Sequence, residues 1–251
     1  MRAWTTGGLA VGAVCIGLAV SGCAHERVAV TPMADTTLDA ARGPQENARL
    51  YTDLIRELIA QDRLYAALAH LQAREREFGP SDQLRLLRAD ILRRMGDDDT
   101  ARGLYESLLD SDYAAQANHG LGLILIATDR AAGMAHLQRA VVQMPTNARM
   151  RSDFGYALLR AGEYEKARLQ LATAYQLDEA NELNRNNYIL LLLVTGADRQ
   201  AGRIAAREQL DADLMRRLRE QARSLANADG VSPMRSQPRG APAVGIGGGG
   251  G

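Results

Sequence analysis

Apolar residues in the central part of the chain recur at the spacing of a helix face. The clearest stripe consists of Leu210, Leu214, Leu218, Ala222 and Leu225. Intervals of about three or four residues match one face of an α-helix and predict an amphipathic helix, with Asp211 or Asp213 available as its N-cap. Residues 46–228 as a whole are rich in Ala, Leu, Arg and Glu and poor in runs of β-branched residues. This composition favours helices, so we predict an all-α fold.

Residues 188–194 depart from the amphipathic pattern, because they read YILLLLV and are apolar on every side. A helix of this kind has to be covered all round. The cover comes either from neighbouring helices of the same chain alone or, on one side, from a bound partner. The sequence leaves both possibilities open.

A longer period of about 34 residues is clearest from Ala148 to Asn181. Within this unit Gly155 and Ala167 are small, which lets two helices approach closely. Gly162 stands where the first helix ends and can adopt the left-handed conformation that closes it. Leu171 fills the space towards the next pair. The unit resembles a tetratricopeptide repeat, which is a pair of antiparallel helices.

The same framework recurs in five units between residues 48 and 211. The turn positions are Asp62, Gly96, Asp129, Gly162 and Gly196. The matching small positions are Ala67, Ala101, Gly133 or Met134, Ala167 and Ala201, with the third unit one residue short. Ile55 and Ile189 replace a small residue in the terminal units, where repeats are atypical because they lack one neighbour. The resemblance implies a tetratricopeptide-repeat superhelix of about five helix pairs plus a C-terminal capping helix; a generic antiparallel bundle is the alternative.

The N-terminal segment has the features of a signal peptide. Arg2 supplies a positive charge, Leu9 to Val20 are mostly apolar, and Leu-Ala-Val-Ser-Gly precedes Cys23. The apolar run is shorter than the roughly 20 residues that a transmembrane helix needs. The pattern resembles a bacterial lipobox. An ordinary signal peptide with cleavage near Ala24 is the alternative.

The lipobox resemblance implies that residues 1–22 are removed and that Cys23 becomes lipidated. Residues 23–45 are then a flexible tether, residues 46–228 the repeat domain, and residues 229–251 a disordered Gly/Pro-rich tail. Ala24 follows the cysteine where an inner-membrane lipoprotein of the enterobacterial type often carries Asp. We therefore expect an outer-membrane location, lipid-anchored and facing the periplasm.

Charge and motif content argue against several functional classes. The chain has 30 basic and 30 acidic residues, which alternate as on solvated helix surfaces, so we expect no nucleic-acid partner. The four histidines, at positions 25, 70, 119 and 136, are scattered without nearby ligands at metal-site spacing. No nucleophile elbow, phosphate-binding loop or HExxH motif is present. We expect no metal, cofactor or small-molecule substrate, and a protein that is not an enzyme.

The repeat resemblance implies a binding groove, because the first helix of each pair forms the concave wall of such arrays. Register places Arg56, Asp90 and Arg93 on an early, charged part of this wall. The later, largely apolar part is predicted to contain Leu123, Ile126, Arg149, Ser152, Tyr156, Leu159, Asn186, Leu190 and Leu193. We expect an apolar segment of a partner to dock on this later part, against Tyr156, Leu159, Leu190 and Leu193.

A lipobox followed by about five such repeats resembles the TadD-type lipoproteins of the tight-adherence (Flp) pilus machinery. The resemblance implies a pilotin, an adaptor that binds the pilus secretin and helps it to assemble or remain stable in the outer membrane. A type IV pilus pilotin is the nearest alternative. A periplasmic scaffold that recruits peptidoglycan hydrolases or outer-membrane assembly factors is a third.

Replacing Cys23 by Ser should abolish lipid labelling and release the protein from the outer membrane, because the thiol accepts the diacylglyceryl group. The repeat domain should stay folded. Labelling with a palmitate analogue, membrane fractionation and circular dichroism of the variant check these outcomes. Persistent outer-membrane fractionation of the variant would argue against a lipid anchor.

Overall fold

The computed structural model describes residues 44–228, which form eleven α-helices and, within this range, no strand. The helices are α1 (Pro44–Ala60), α2 (Leu64–Phe78), α3 (Asp82–Met95), α4 (Asp98–Glu106), α5 (Ala114–Leu125), α6 (Arg130–Gln143), α7 (Ala148–Arg160), α8 (Tyr164–Leu177), α9 (Glu182–Val194), α10 (Asp198–Arg207) and α11 (Ala212–Ala228). The predicted signal peptide, lipidated cysteine and tail lie outside the described residues, as does nearly all of the predicted tether. None of the described helices is long and apolar enough to cross a bilayer.

Consecutive helices form five pairs, α1 with α2 through α9 with α10, and α11 follows the last pair. Neighbouring pairs share apolar clusters, so the core is continuous from one pair to the next. The predicted all-α arrangement of five pairs plus a capping helix is confirmed.

Small residues hold the two helices of each pair close together. Ala67, Ala101, Ala167 and Ala201 are all completely buried, as their place in the repeat predicts. In the third pair this position belongs to Gly133 and not to Met134. A Cβ atom on Gly133 would lie 2.6 Å from the backbone nitrogen of Ile126, which is closer than any stable contact.

Four of the five predicted turn residues have a positive φ. The values are 59° for Asp62, 86° for Gly96, and 74° for both Gly162 and Gly196. Asp129 also lies in its predicted turn, between α5 and α6, but it is not left-handed: its φ is −134° and its carboxylate caps α6 by accepting a bond from the Ala132 nitrogen at 3.0 Å. The loop between α5 and α6 has four residues, numbers 126–129, and Asp129 is the last of them, at the N-cap of α6.

Helix α9, the segment that is apolar on every side, is covered by the chain itself. Its central residues, numbers 189–192, are at most 1% exposed. They pack among α7, α8, α10 and α11. Of the two explanations left open by the sequence, cover by neighbouring helices is therefore sufficient.

Helix α11 buries one apolar face against the last pair. Asp211, one of the two predicted candidates, caps it by accepting a bond from the Asp213 nitrogen at 3.0 Å. The buried face consists of Met215, Leu218, Ala222 and Ala226, whereas Leu210, Leu214 and Leu225 are partly exposed. The predicted stripe has the correct helical period, but the buried face is rotated slightly around the helix axis relative to it.

We expect Gly133→Ala to lower the free energy of unfolding by about 1–3 kcal/mol, since the added methyl group collides with backbone that cannot rotate away. Gly202 is the matched control, because it also lies in the second helix of a pair and a Cβ there meets nothing within 4 Å. Gly202→Ala should stabilise the protein by about 0.5–1 kcal/mol through helix propensity. Urea denaturation measures both values, and equal effects of the two substitutions would contradict this account of the packing.

Candidate partner-binding site

The predicted apolar wall contains a cleft of about 470 Å³ between the first helices of the third and fourth pairs. Leu123 of α5 and Ile126, which directly follows α5, lie on one side and Tyr156 of α7 on the other. All three side chains are partly exposed. The structure therefore brings together three of the residues that the sequence assigned to the groove.

Charged residues stand around this apolar cleft. Arg130, at the start of α6, and Arg160, at the end of α7, are exposed and line it. Asp153 also lines it, and its carboxylate lies 2.8 Å from Nε2 of His119. The cleft thus offers apolar contacts in the middle and two arginines at its edge.

Polar contacts between successive first helices set the spacing of the wall. The His119–Asp153 contact links α5 to α7. Asn187 of α9 donates a buried hydrogen bond of 3.0 Å to Ser152 of α7. Because buried polar groups are costly unless paired, these contacts favour one register of the helices. Ser152 is fully buried and supports the wall from inside, whereas Arg149 is exposed.

Leu159 and Leu190 are corrections to the predicted surface. Both occupy the first helices as expected, but they are 0% and 1% exposed and belong to the core. Ala222 of α11 lies in the same apolar cluster, and Gln221 donates a hydrogen bond of 3.3 Å to the hydroxyl of Tyr156. Helix α11 thus packs against α9 and also contacts α7.

Leu193 and Asn186 are partly exposed but do not line the α5–α7 cleft. Leu193 instead lines a separate hollow of about 290 Å³ beside Ala222 and Ala226 of α11. The Asn186 side-chain oxygen accepts a bond from Arg185 Nε at 3.3 Å. Apart from Arg149 and Ser152, the residues predicted on the later part of the wall therefore fall into three environments: the cleft, the core, and the neighbourhood of α9 and α11.

The early, charged part of the wall is largely paired within the chain. Arg56 lies 2.8 Å from Asp53. Asp90 accepts a hydrogen bond of 2.5 Å from the hydroxyl of Tyr105. Burial of that phenol, and then the charge of Asp90, raise the pKa of Tyr105 well above its usual value, so the phenol stays a hydrogen-bond donor.

Sequence reasoning missed Arg130, Asp153 and Arg160 as parts of the cleft. Arg130 was not predicted because it begins a second helix, whereas the concave wall of such arrays is formed by first helices. His119 and Asp153 are separated by 34 residues, the repeat period itself. A search for complementary polar residues one period apart could have found this contact.

Comparisons with known proteins agree with the architecture. No protein-family model matches the chain. It is 34% identical over 226 residues to the TPR repeat-containing protein PA4299 of Pseudomonas aeruginosa, covering 89% of this chain and 91% of that one. The abbreviation TPR denotes the tetratricopeptide repeat.

Two solved structures share the fold. The thermophilic TPR protein TTC0263 of Thermus thermophilus has a TM-score of 0.55 at 21% identity, covering 71% of this chain and 98% of that chain. The pilF protein of Pseudomonas aeruginosa has a TM-score of 0.55 at 18% identity, covering 75% and 91%. With the identity to PA4299, the chain belongs to the TPR repeat-containing protein family.

Proposed function

We propose that this protein is a pilotin, a lipid-anchored outer-membrane adaptor that binds the secretin of a tight-adherence pilus and supports its assembly or stability. The apolar cleft between α5 and α7 is the observation that supports partner binding. The family is suited to protein–protein interaction, which agrees with a non-enzymatic role. The lipidated cysteine and the choice of secretin rest on the sequence resemblances.

The cleft suits an apolar anchor from a partner segment. Leu123, Ile126 and Tyr156 are already held in place by the helices behind them, so little side-chain freedom is lost when a partner covers them. Each leucine-sized side chain that becomes buried contributes about 1.5–3 kcal/mol. Two or three anchors therefore supply a useful share of a micromolar affinity, about 8 kcal/mol.

The two arginines at the edge of the cleft favour an acidic flank on the partner segment. Arg130 and Arg160 are exposed, and the only carboxylate among the described residues that line the cleft, that of Asp153, is already engaged with His119. Exposed charges at the rim of an interface chiefly raise the association rate and select the orientation. The preferred ligand is thus an apolar segment of the secretin that carries acidic residues beside its anchors.

The pilotin role gives the anchor and the cleft complementary tasks. A lipid on Cys23 would confine the repeat domain to the membrane in which the secretin assembles. The cleft would cover apolar surface of secretin subunits that otherwise aggregates before multimers form. No covalent step is needed in this mechanism.

Secretin multimers should decline in a strain that lacks this protein and recover when the wild-type chain is supplied. Leu123→Asp should fail to restore them, because a carboxylate placed in the cleft loses the apolar contact and is costly to bury. Leu169→Asp should restore them, since Leu169 is an apolar residue of α8 that is 64% exposed and lies outside the cleft. Immunoblots of unboiled membranes measure the multimers, and circular dichroism confirms that both variants are folded.

The outcomes of this experiment separate the two parts of the proposal. Unchanged multimers in the deletion strain would show that the protein is not a pilotin for that secretin. Full recovery with Leu123→Asp would leave the pilotin role standing but would place the binding surface elsewhere.

A further inference from the structure

A third cavity, of about 390 Å³, lies at the first helix pair and is lined by arginines. Arg49 and Arg56 reach it from α1, and Arg74 from α2. Its remaining wall includes the loop between α2 and α3 and the start of α3. None of these residues lines the apolar cleft described above, so this is a separate surface feature.

Arg74 is the most unusual of the three. Its guanidinium carbon lies 3.6 Å from the centre of the Phe78 ring, so the planar group is stacked on an aromatic face. Nε and Nη1 of Arg74 are buried and have no hydrogen-bond acceptor among the residues that the structure describes. Leaving buried donors of a charged group unpaired is destabilising. A ligand that supplies an acceptor would remove this destabilisation.

The charges around the cavity favour an anion. Asp53 is the only carboxylate in the described lining, and it lies 2.8 Å from Nη1 of Arg56. Arg49 and Arg74 are left without a matching negative charge in this described part of the wall. The amino-terminal end of α3 has a partial positive charge, which Asp82 in its first turn offsets in part. The described lining of the cavity is therefore positive overall in a chain that has no net charge.

We propose that this cavity binds the carboxylate of an acidic protein segment. A guanidinium stacked on one face has edges that match the two oxygens of a planar carboxylate, which can accept a bidentate pair from Nη2 together with either Nε or Nη1 of Arg74. The charge of Asp53 disfavours a phosphate dianion more strongly than a single carboxylate. The proposal goes beyond the pilotin role, because it concerns a second contact site and holds whichever protein carries the acidic segment.

The test uses the full chain with Cys23→Ser, to keep it free of lipid, and a fluorescent peptide of alternating aspartate and glutamate with blocked ends. Fluorescence anisotropy should show binding of this peptide, and the matching asparagine–glutamine peptide should not bind. Arg74→Gln should weaken the acidic peptide at least tenfold, since a charge-assisted bidentate pair is lost. Arg76→Gln is the control, because it removes an exposed arginine of the same helix that is not part of the cavity. It should change the affinity less than twofold.

Binding of inorganic phosphate and of phosphatidylglycerol vesicles to the same chain is measured in parallel. Equal weakening by Arg74→Gln and Arg76→Gln, or no binding of the acidic peptide to the parent chain, would overturn the proposal. Binding of phosphate or vesicles that depends on Arg74, without binding of the peptide, would assign the cavity to a phosphate group instead. If Arg74→Gln does not fold, the double substitution Arg49→Gln and Arg56→Gln replaces it, with the same expected loss of peptide affinity.

Discussion

The close approach of the two helices in each pair is the constraint on which the rest of this structure depends. At Gly155 an added Cβ would come within 2.7 Å of Leu171 Cγ, so the first helix of the fourth pair leaves no room for a side chain. Alanine on the facing helix, as at Ala167, is completely buried. Because protein interiors are packed as densely as organic crystals, this spacing fixes how each pair stacks on the next. The position of the binding wall follows from that stacking.

The chemical character of the wall comes from places where the repeat array is irregular. The cleft lies at the loop of the third pair, which has four residues where the loops of the other pairs have two or three; Ile126 begins this loop and Arg130 follows it. Helix α11 occupies the place of a further first helix but leans across α9 towards Tyr156. It buries Leu190 and closes the apolar wall at its C-terminal end. The accessible apolar surface is consequently shorter than the repeat pattern alone implies.

Periodicity was sufficient to predict the fold because each repeat contacts mainly its neighbours, so a local pattern specifies most of the packing. It also assigned Leu123, Ile126 and Tyr156 to one surface, and all three line the same cleft. It failed for Leu159 and Leu190, since register gives the direction of a side chain but not what covers it. Periodicity could not predict the cavity around Arg74 for a related reason. Whether an arginine finds an acceptor depends on residues from three helices at once, and a single helix pattern carries no such information.

Site-specific photo-crosslinking in living cells tests the central claim, that the α5–α7 cleft is the surface that receives the partner. A benzophenone amino acid at Ile126 reports contacts in the cleft, and the same group at Leu169 reports an exposed apolar position outside it. We predict that position 126 yields a crosslink to the secretin, identified by mass spectrometry, and that position 169 does not. A secretin crosslink from position 169 with none from position 126 would contradict the account.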